Sequence, residues 1–407
     1  MNKIIIILLV FIPHLAFSQL NQTLIQYNQT ISKDSLEKTI LNLQSYGSRY
    51  TFSPNRKAIA EDLKDQLQSY GFKTILDSFY IEDFVFYPVP NTFNSGWQYN
   101  VVAEKRGQYA KDTFFVVGAH YDAVAFSTQT SVYETAPGAD DNASGVSAIM
   151  EIARLYHLHK IVPTKTLRLE LYAAEEIGLM GSNIAIERSA NKLTEHIIGM
   201  LCMDMIGHKF DSLGSDNLKL IEYDNSQDLT NFCEQTAIQY TTIIPNITSV
   251  MHEYSDSYPY YQWGRKAIFL HEQDFHPFYH TPQDLSSTLD YNYLSKVAQL
   301  AFSITYLATT TNQYFPISIP QNPNISEPEF RLLENPAKDI IRFTYISPRP
   351  ENPIVQIINR MGVEEMTAKL NIYQTSLQEY QIPTNDLKAG IYFLKIGNET
   401  KKIVVIK

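Results

Sequence analysis

Five short segments carry the side-chain types that bind divalent cations: His120-Tyr121-Asp122, Gly138-Ala139-Asp140-Asp141-Asn142-Ala143-Ser144-Gly145, Ala174-Glu175-Glu176-Ile177-Gly178, Met203-Asp204 and Tyr279-His280-Thr281-Pro282. Imidazole and carboxylate donors in such a mixture suit divalent metal ions. Carboxylates gathered at one place repel one another, and burial raises their pKa values, unless cations neutralise them. Two divalent ions do so when one carboxylate bridges them and each takes one His and one further carboxylate. A position then stays open for water, which is a catalytic arrangement and not a closed structural one. Ser144 lacks the G-x-S-x-G elbow of a serine hydrolase. Among the ten His, His157, His159, His196 and His208 fall on helical or loop surfaces. His271 and His276 rival His280 more closely. The His276–His280 spacing imitates a zincin motif, but Pro277 disfavours the helix that would align the two rings, and the middle Glu is missing.

These segments need elements to hold them. Between Gln19 and Asn312 strands and helices alternate, so the expected class is α/β with a mixed, largely parallel central sheet flanked by helices. Ser53 can cap a helix with Pro54 in its first turn, and Ile59, Leu63 and Leu67 follow before Gly71 ends it. Strands are expected at Lys73–Ile81, Asn100–Glu104, Thr113–Ala119, Leu167–Ala173, Ile197–Met203 and Ala267–His271, and a helix at Gly145–His159. The metal-ligand types stand just past the C-terminal ends of apolar strands, where open α/β sheets place ligands.

Both termini read as addresses. Lys3 followed by the apolar run Ile4–Ile12 and by Ala16-Phe17-Ser18 predicts a signal peptide over 1–18. The run is too short for a membrane anchor, and no transmembrane segment is expected in the mature chain. The central α/β region spans 19–312. Residues 313–329, with Pro316, Pro320, Pro323 and Pro328, form a linker. Residues 330–407 alternate short β-rich runs (340–345, 354–358, 369–373, 391–396, 403–406) with turns, as in a small all-β sandwich.

Of 407 residues 44% are apolar and 19% charged, a balance that excludes wholesale disorder. The net charge of −10 argues against a nucleic-acid partner or an anionic membrane surface. From Glu327 onward 11 basic residues face 10 acidic ones, so the acidity belongs to the central region. Two cysteines, Cys202 and Cys233, allow one bridge at most; Cys202 lies in an apolar run and reads as a small buried side chain.

The five segments, in this order, resemble the co-catalytic zinc exopeptidases that include bacterial leucyl aminopeptidase and aminopeptidase Y, with plasma glutamate carboxypeptidase and glutaminyl cyclase as relatives. The resemblance covers roughly residues 35–307. It implies two Zn²⁺, one held by His120 and Asp204, the other by Glu176 and His280, with Asp140 bridging. Glu175 would be the general base, and Asp122 would hydrogen-bond the His120 imidazole. The family's cis peptide would join Asp140 to Asp141. The segment Tyr254–Pro259 would line the pocket, with Asp256 receiving a free α-amine and Tyr258 near it; the family commonly has His where Ser257 stands. Tyr258, Tyr260, Tyr261 and Trp263 would wall a pocket for an apolar first residue, or pack in the core. The implied activity is a secreted aminopeptidase acting on peptides. Alternatives are a glutaminyl cyclase or a carboxypeptidase of the same family, or an inactive surface binder on this scaffold. Glu334-Asn335-Pro336-Ala337-Lys338-Asp339 and Leu387-Lys388-Ala389-Gly390-Ile391-Tyr392-Phe393, with a basic final strand, resemble the C-terminal sorting domain of type IX secretion. That implies the secretion machinery as a partner and a secreted or cell-surface location after export through the periplasm.

Overall fold

A computed structural model describes residues 21–85, 93–127, 129–192, 195–209, 216–311, 329–332, 335–346, 354–369, 378–385, 387–397 and 399–406. The expected signal peptide, the linker up to residue 328 and most of the expected 369–373 strand lie outside these residues. The chain divides into two compact units between Tyr314 and Phe315.

The first unit is built on an eight-stranded sheet. Its strands are β1 (Lys73–Val85), β2 (Phe93–Lys105), β3 (Ala110–His120), β4 (Lys165–Tyr172), β5 (His196–Met203), β6 (Asn217–Glu222), β7 (Ile244–Thr248) and β8 (Ala267–Glu272). They lie in the order β1-β2-β4-β3-β5-β8-β6-β7. The central run β4-β3-β5-β8 is parallel, as is β6 with β7, while β1, β2 and the β8–β6 pair are antiparallel. β4 and β8 are buried at every residue; β8 reads as a mostly apolar run, whereas β4 alternates leucines with Arg168 and Glu170 although both its faces are covered. Arg168, buried within β4, is matched by Glu104 and Glu195, so the charge is paired where it leaves water.

Helices α1 (Gln22–Asn28), α2 (Lys33–Gln44), α3 (Arg56–Ser69), α4 (Gly145–Leu158), α5 (Met180–Ala190), α6 (Gln227–Tyr240), α7 (Ser257–Gln262) and α8 (Tyr291–Thr310) complete the unit. α4 and α8 are its most apolar helices and pack against each other and against β3. α3 starts two residues later than the Ser53-Pro54 signal suggests. Asn55 precedes it, and its amide donates instead to the Tyr46 and Ser48 carbonyls, while the Ser53 hydroxyl donates to Asn55. Local capping chemistry is spent on fastening the preceding loop, a contact that the sequence pattern does not encode. Cys202 and Cys233 are both free and buried. Among the described residues no helix is long and apolar enough to cross a membrane.

The second unit holds two antiparallel sheets. One comprises β9 (Glu329–Leu332), β10 (Ile340–Ile346) and β13 (Gln378–Pro383), the other β11 (Ile354–Asn359), β12 (Glu364–Lys369), β14 (Gly390–Ile396) and β15 (Glu399–Val405). Phe330, Ile341, Phe343, Ile357, Leu394 and Ile403 fill a shared core.

Candidate metal centre

His120 is the last residue of β3, Asp204 follows β5 directly, Glu175 and Glu176 lie a short step beyond β4, and His280 comes from the loop after β8. Four neighbouring parallel strands therefore deliver the site from one sheet edge. The two Asp residues between Gly138 and Gly145 enter from an irregular turn ahead of α4, in which Asp141 and Asn142 have non-helical dihedrals.

That turn decides the site. Asp141 sends one carboxylate oxygen to His120 Nε2 at 3.2 Å and the other to His280 Nε2 at 3.1 Å. His120 Nε2 also lies 3.4 Å from Asp204 and 3.8 Å from Glu175, and His280 Nε2 lies 3.0 Å from Glu176. Three groups whose ligand atoms all fall within 4.8 Å result, His120–Asp141–Asp204, Asp141–Glu176–His280 and His120–Glu175–Glu176, the first two sharing Asp141. Imidazole and carboxylate atoms so gathered form a donor set that fits zinc.

Asp140 is placed elsewhere. Its Oδ1 accepts from the Gly207 amide at 2.8 Å, and its carboxyl faces that of Glu272. The expectation that Asp140 bridges is therefore corrected by one residue, and the non-proline cis bond joins Asp141 to Asn142, not Asp140 to Asp141. The physical reason is Asp284, which the sequence reading missed. Its buried carboxylate accepts from the backbone amides of both Asp140 (2.8 Å) and Asp141 (3.1 Å), fixing which way each residue faces. A buried Asp four residues after His280 was the available signal.

Electrostatics match this gathering of charge. Burial raises the Glu175 pKa well above the usual range, with Glu176 and Asp204 adding repulsion that His120 only partly offsets. Burial also lifts Glu176 to about 7. Burial alone would lower the two histidines, but the surrounding carboxylates win: His120 is raised well above its usual value and His280 to about 10. These are side chains that favour positive charge in their midst.

Residues 100–305 match the sequence profile of peptidase family M28, and residues 334–407 match that of a secretion system C-terminal sorting domain. The chain belongs to peptidase family M28. It is thus a metallopeptidase whose tail marks it for secretion. It is 27% identical over 288 residues to leucine aminopeptidase 1 of Ajellomyces capsulatus, covering 68% of this chain and 71% of that one. Its fold is shared with the zinc aminopeptidase of Bacillus subtilis (TM-score 0.57, 16% identity, 70% and 96% of the two chains) and with a Bacteroides thetaiotaomicron glutaminyl cyclase bound to N-acetylhistamine (TM-score 0.56, 20% identity, 68% and 98%).

Around this M28 centre the supporting contacts are specific. Asp122 connects two of the expected site residues: its carboxylate accepts from the Glu175 amide at 3.1 Å and from the Thr51 hydroxyl at 2.7 Å. The contact to His120 differs from expectation, because Nδ1 lies 3.1 Å from the Asp122 main-chain carbonyl and 3.7 Å from its carboxylate. Glu176 is oriented by the Val124 amide, Asp204 by the Ser255 hydroxyl, and His280 by the stacked Tyr279 ring. His276 is held by the Thr288 hydroxyl, while His271, its Nδ1 against the Glu272 carbonyl, lines the same cleft without entering any of the ligand groups.

A cleft of about 710 Å³ opens on the centre and is walled by Met205, Met251, Tyr258, Phe269, Phe275 and Tyr279 among others. Tyr258 lines this cleft. Asp256 does not: it is fully buried and forms no part of the cleft wall, so its expected contact with a substrate amine is corrected. It precedes α7, whose packing on β5 and β8 draws the residue inward. Of the remaining aromatic run, Tyr260 is buried against Glu170 and Tyr172, and neither Tyr261 nor Trp263 lines the cleft.

Two glycines make the turn possible. Gly138 has φ +51°, and a Cβ there would sit 2.2 Å from the Asp141 carbonyl oxygen; a Cβ on Gly145 would sit 2.5 Å from the Met203 carbonyl. Gly138→Ala is expected to destabilise the chain by about 1–3 kcal/mol through backbone strain and to lower metal content with it. Thermal melting with and without added zinc checks this; an unchanged melting temperature in both would contradict it.

Proposed function

We propose that this chain is a secreted di-zinc aminopeptidase that removes N-terminal residues from peptides. The observation that supports it most is the division of the Asp141 carboxylate between His120 and His280, which makes two ligand sets from five side chains. His120 and Asp204 would hold one ion, Glu176 and His280 the other, and Asp141 would bridge. Bound zinc supplies Lewis acidity that lowers the pKa of a water to about 7 and polarises the scissile carbonyl.

Glu175 stands beside the first ligand set, 3.8 Å from His120 Nε2, where its carboxylate would take the proton of the attacking water and return it to the leaving amine. Asp122 keeps the Glu175 backbone in place, so that the carboxylate faces the cleft while Glu176 faces the second ligand set. The apolar and aromatic cleft wall favours an apolar first residue, in line with the leucine aminopeptidase relatives. The chain would reach the cell exterior by a cleaved leader, passage through the periplasm and recognition of the tail by the type IX machinery.

Metal analysis together with a panel of aminoacyl and N-blocked peptides tests the reading. Near two equivalents of zinc and preference for a free α-amine are expected. Equal cleavage of N-blocked peptides would turn the assignment away from aminopeptidase, and cyclisation of Gln-initiated peptides without release of free glutamine would turn it to a cyclase.

A further inference from the structure

Arg49 lies between α2 and α3, ahead of the part of the chain that matches the M28 profile, and is 1% exposed. Its guanidinium donates to three main-chain carbonyls: Nε to Tyr121 at 2.8 Å, Nη2 to Gly138 at 2.7 Å, and Nη1 to Pro137. Tyr121 sits between His120 and Asp122, and Pro137 and Gly138 lead into the Asp140-Asp141 turn. One planar fork thus grips the loop that follows β3 and the turn that carries the shared carboxylate.

The backbone around it does the same. The Arg49 amide donates to the Ala136 carbonyl, the Ala136 amide to the Gly47 carbonyl, and the Ala123 amide to the Arg49 carbonyl, while Ser48 pairs with Ala136 as a parallel bridge. Two residues on, Thr51 binds the Asp122 carboxylate. Burial lowers the Arg49 pKa only to about 10, with Asp284 and Asp141 foremost among the carboxylates resisting the shift, so the group is cationic at neutral pH.

We infer that Arg49 is a positioning residue that assembles the His120 and Asp141 loops into a metal-ready geometry before any ion binds. A cluster of buried carboxylates left to itself would spread apart by repulsion. A fixed cation that bonds the carbonyls of both loops opposes the spreading, and does so without occupying a ligand position. Arginine suits this because its five donors lie in one rigid plane, whereas a lysine ammonium cannot reach three carbonyls in that arrangement. This inference rests on the metal-centre reading above.

The test uses the full chain, with Arg49→Lys and Arg49→Met. Zinc affinity by calorimetry on the metal-stripped protein is expected to fall on the order of 10–100-fold in both variants. In the metal-free variants the amides of Ala123, Ala136 and position 49 should exchange with deuterium at least about 10-fold faster than in wild type, while α8 amides remain as in wild type. Excess zinc should restore turnover in Arg49→Lys; because zinc would also rescue a merely destabilised fold, it is the unchanged exchange of the α8 amides that separates a local positioning role from a loss of overall stability. Unchanged zinc affinity and loop exchange would overturn the inference. If Arg49→Met does not fold, metal-free wild type still decides: slow exchange of the same three amides supports pre-assembly, and exchange at the rate of open loops overturns it. Failure of wild type to bind zinc at all would instead strike the metal-centre reading, whatever the loop amides do.

Discussion

Glu175→Gln is expected to lower kcat by about 10²–10⁴-fold while KM and bound zinc stay as in wild type. Gln has the shape of Glu and keeps the backbone bond to Asp122, so the turn after β4 should hold. What it loses is the ability to take a proton. The substitution also separates two roles, because Glu175 lies in one of the groups whose geometry could hold a metal, with His120 and Glu176. Steady-state kinetics and metal analysis on the same preparation give the answer. Retained turnover would remove Glu175 as the base; loss of zinc along with turnover would make it a ligand instead.

Asp141→Asn and Asp140→Asn should behave in opposite ways although they are neighbours of the same type. Asn at 141 lacks the charge and the second anionic oxygen that face His120 and His280, so both ligand sets are weakened together. Zinc should fall well below two equivalents after dialysis, and turnover should fall with it. Asn at 140 keeps an oxygen for the Gly207 amide and offers an N–H toward the Glu272 carboxyl, whose Oε1 and the facing Asp140 Oδ2 have no donor among the described residues. It also removes one of two facing buried carboxyls. Asp140→Asn is therefore expected to hold two zinc ions, with a melting temperature at or above that of wild type. If the two variants exchanged these phenotypes, the bridge would belong to Asp140.

Much of this site was legible in the chain. His120, Glu175, Glu176 and Asp204 each stand at or just past the end of a strand-forming run, whose length and composition mark its own end, while His280 comes from the loop after β8. The tail's β-rich runs and turn residues were legible for the same reason. The choice between Asp140 and Asp141 was not, because two identical residues side by side carry no compositional difference. Asp256 misled in another way: the family resemblance puts its segment at the pocket, yet helix packing takes the residue into the interior.

The sequence by itself determined which segments gather, since strand periodicity and strand ends are local properties written in consecutive residues. The tertiary structure alone decided how they face one another. Asp284 reaches the Asp140 and Asp141 amides across 144 and 143 residues, and Arg49 reaches Tyr121 and Gly138 across 72 and 89. Hydrogen bonds between segments so far apart leave no period or spacing in the chain; they exist only once the sheet has brought the loops together.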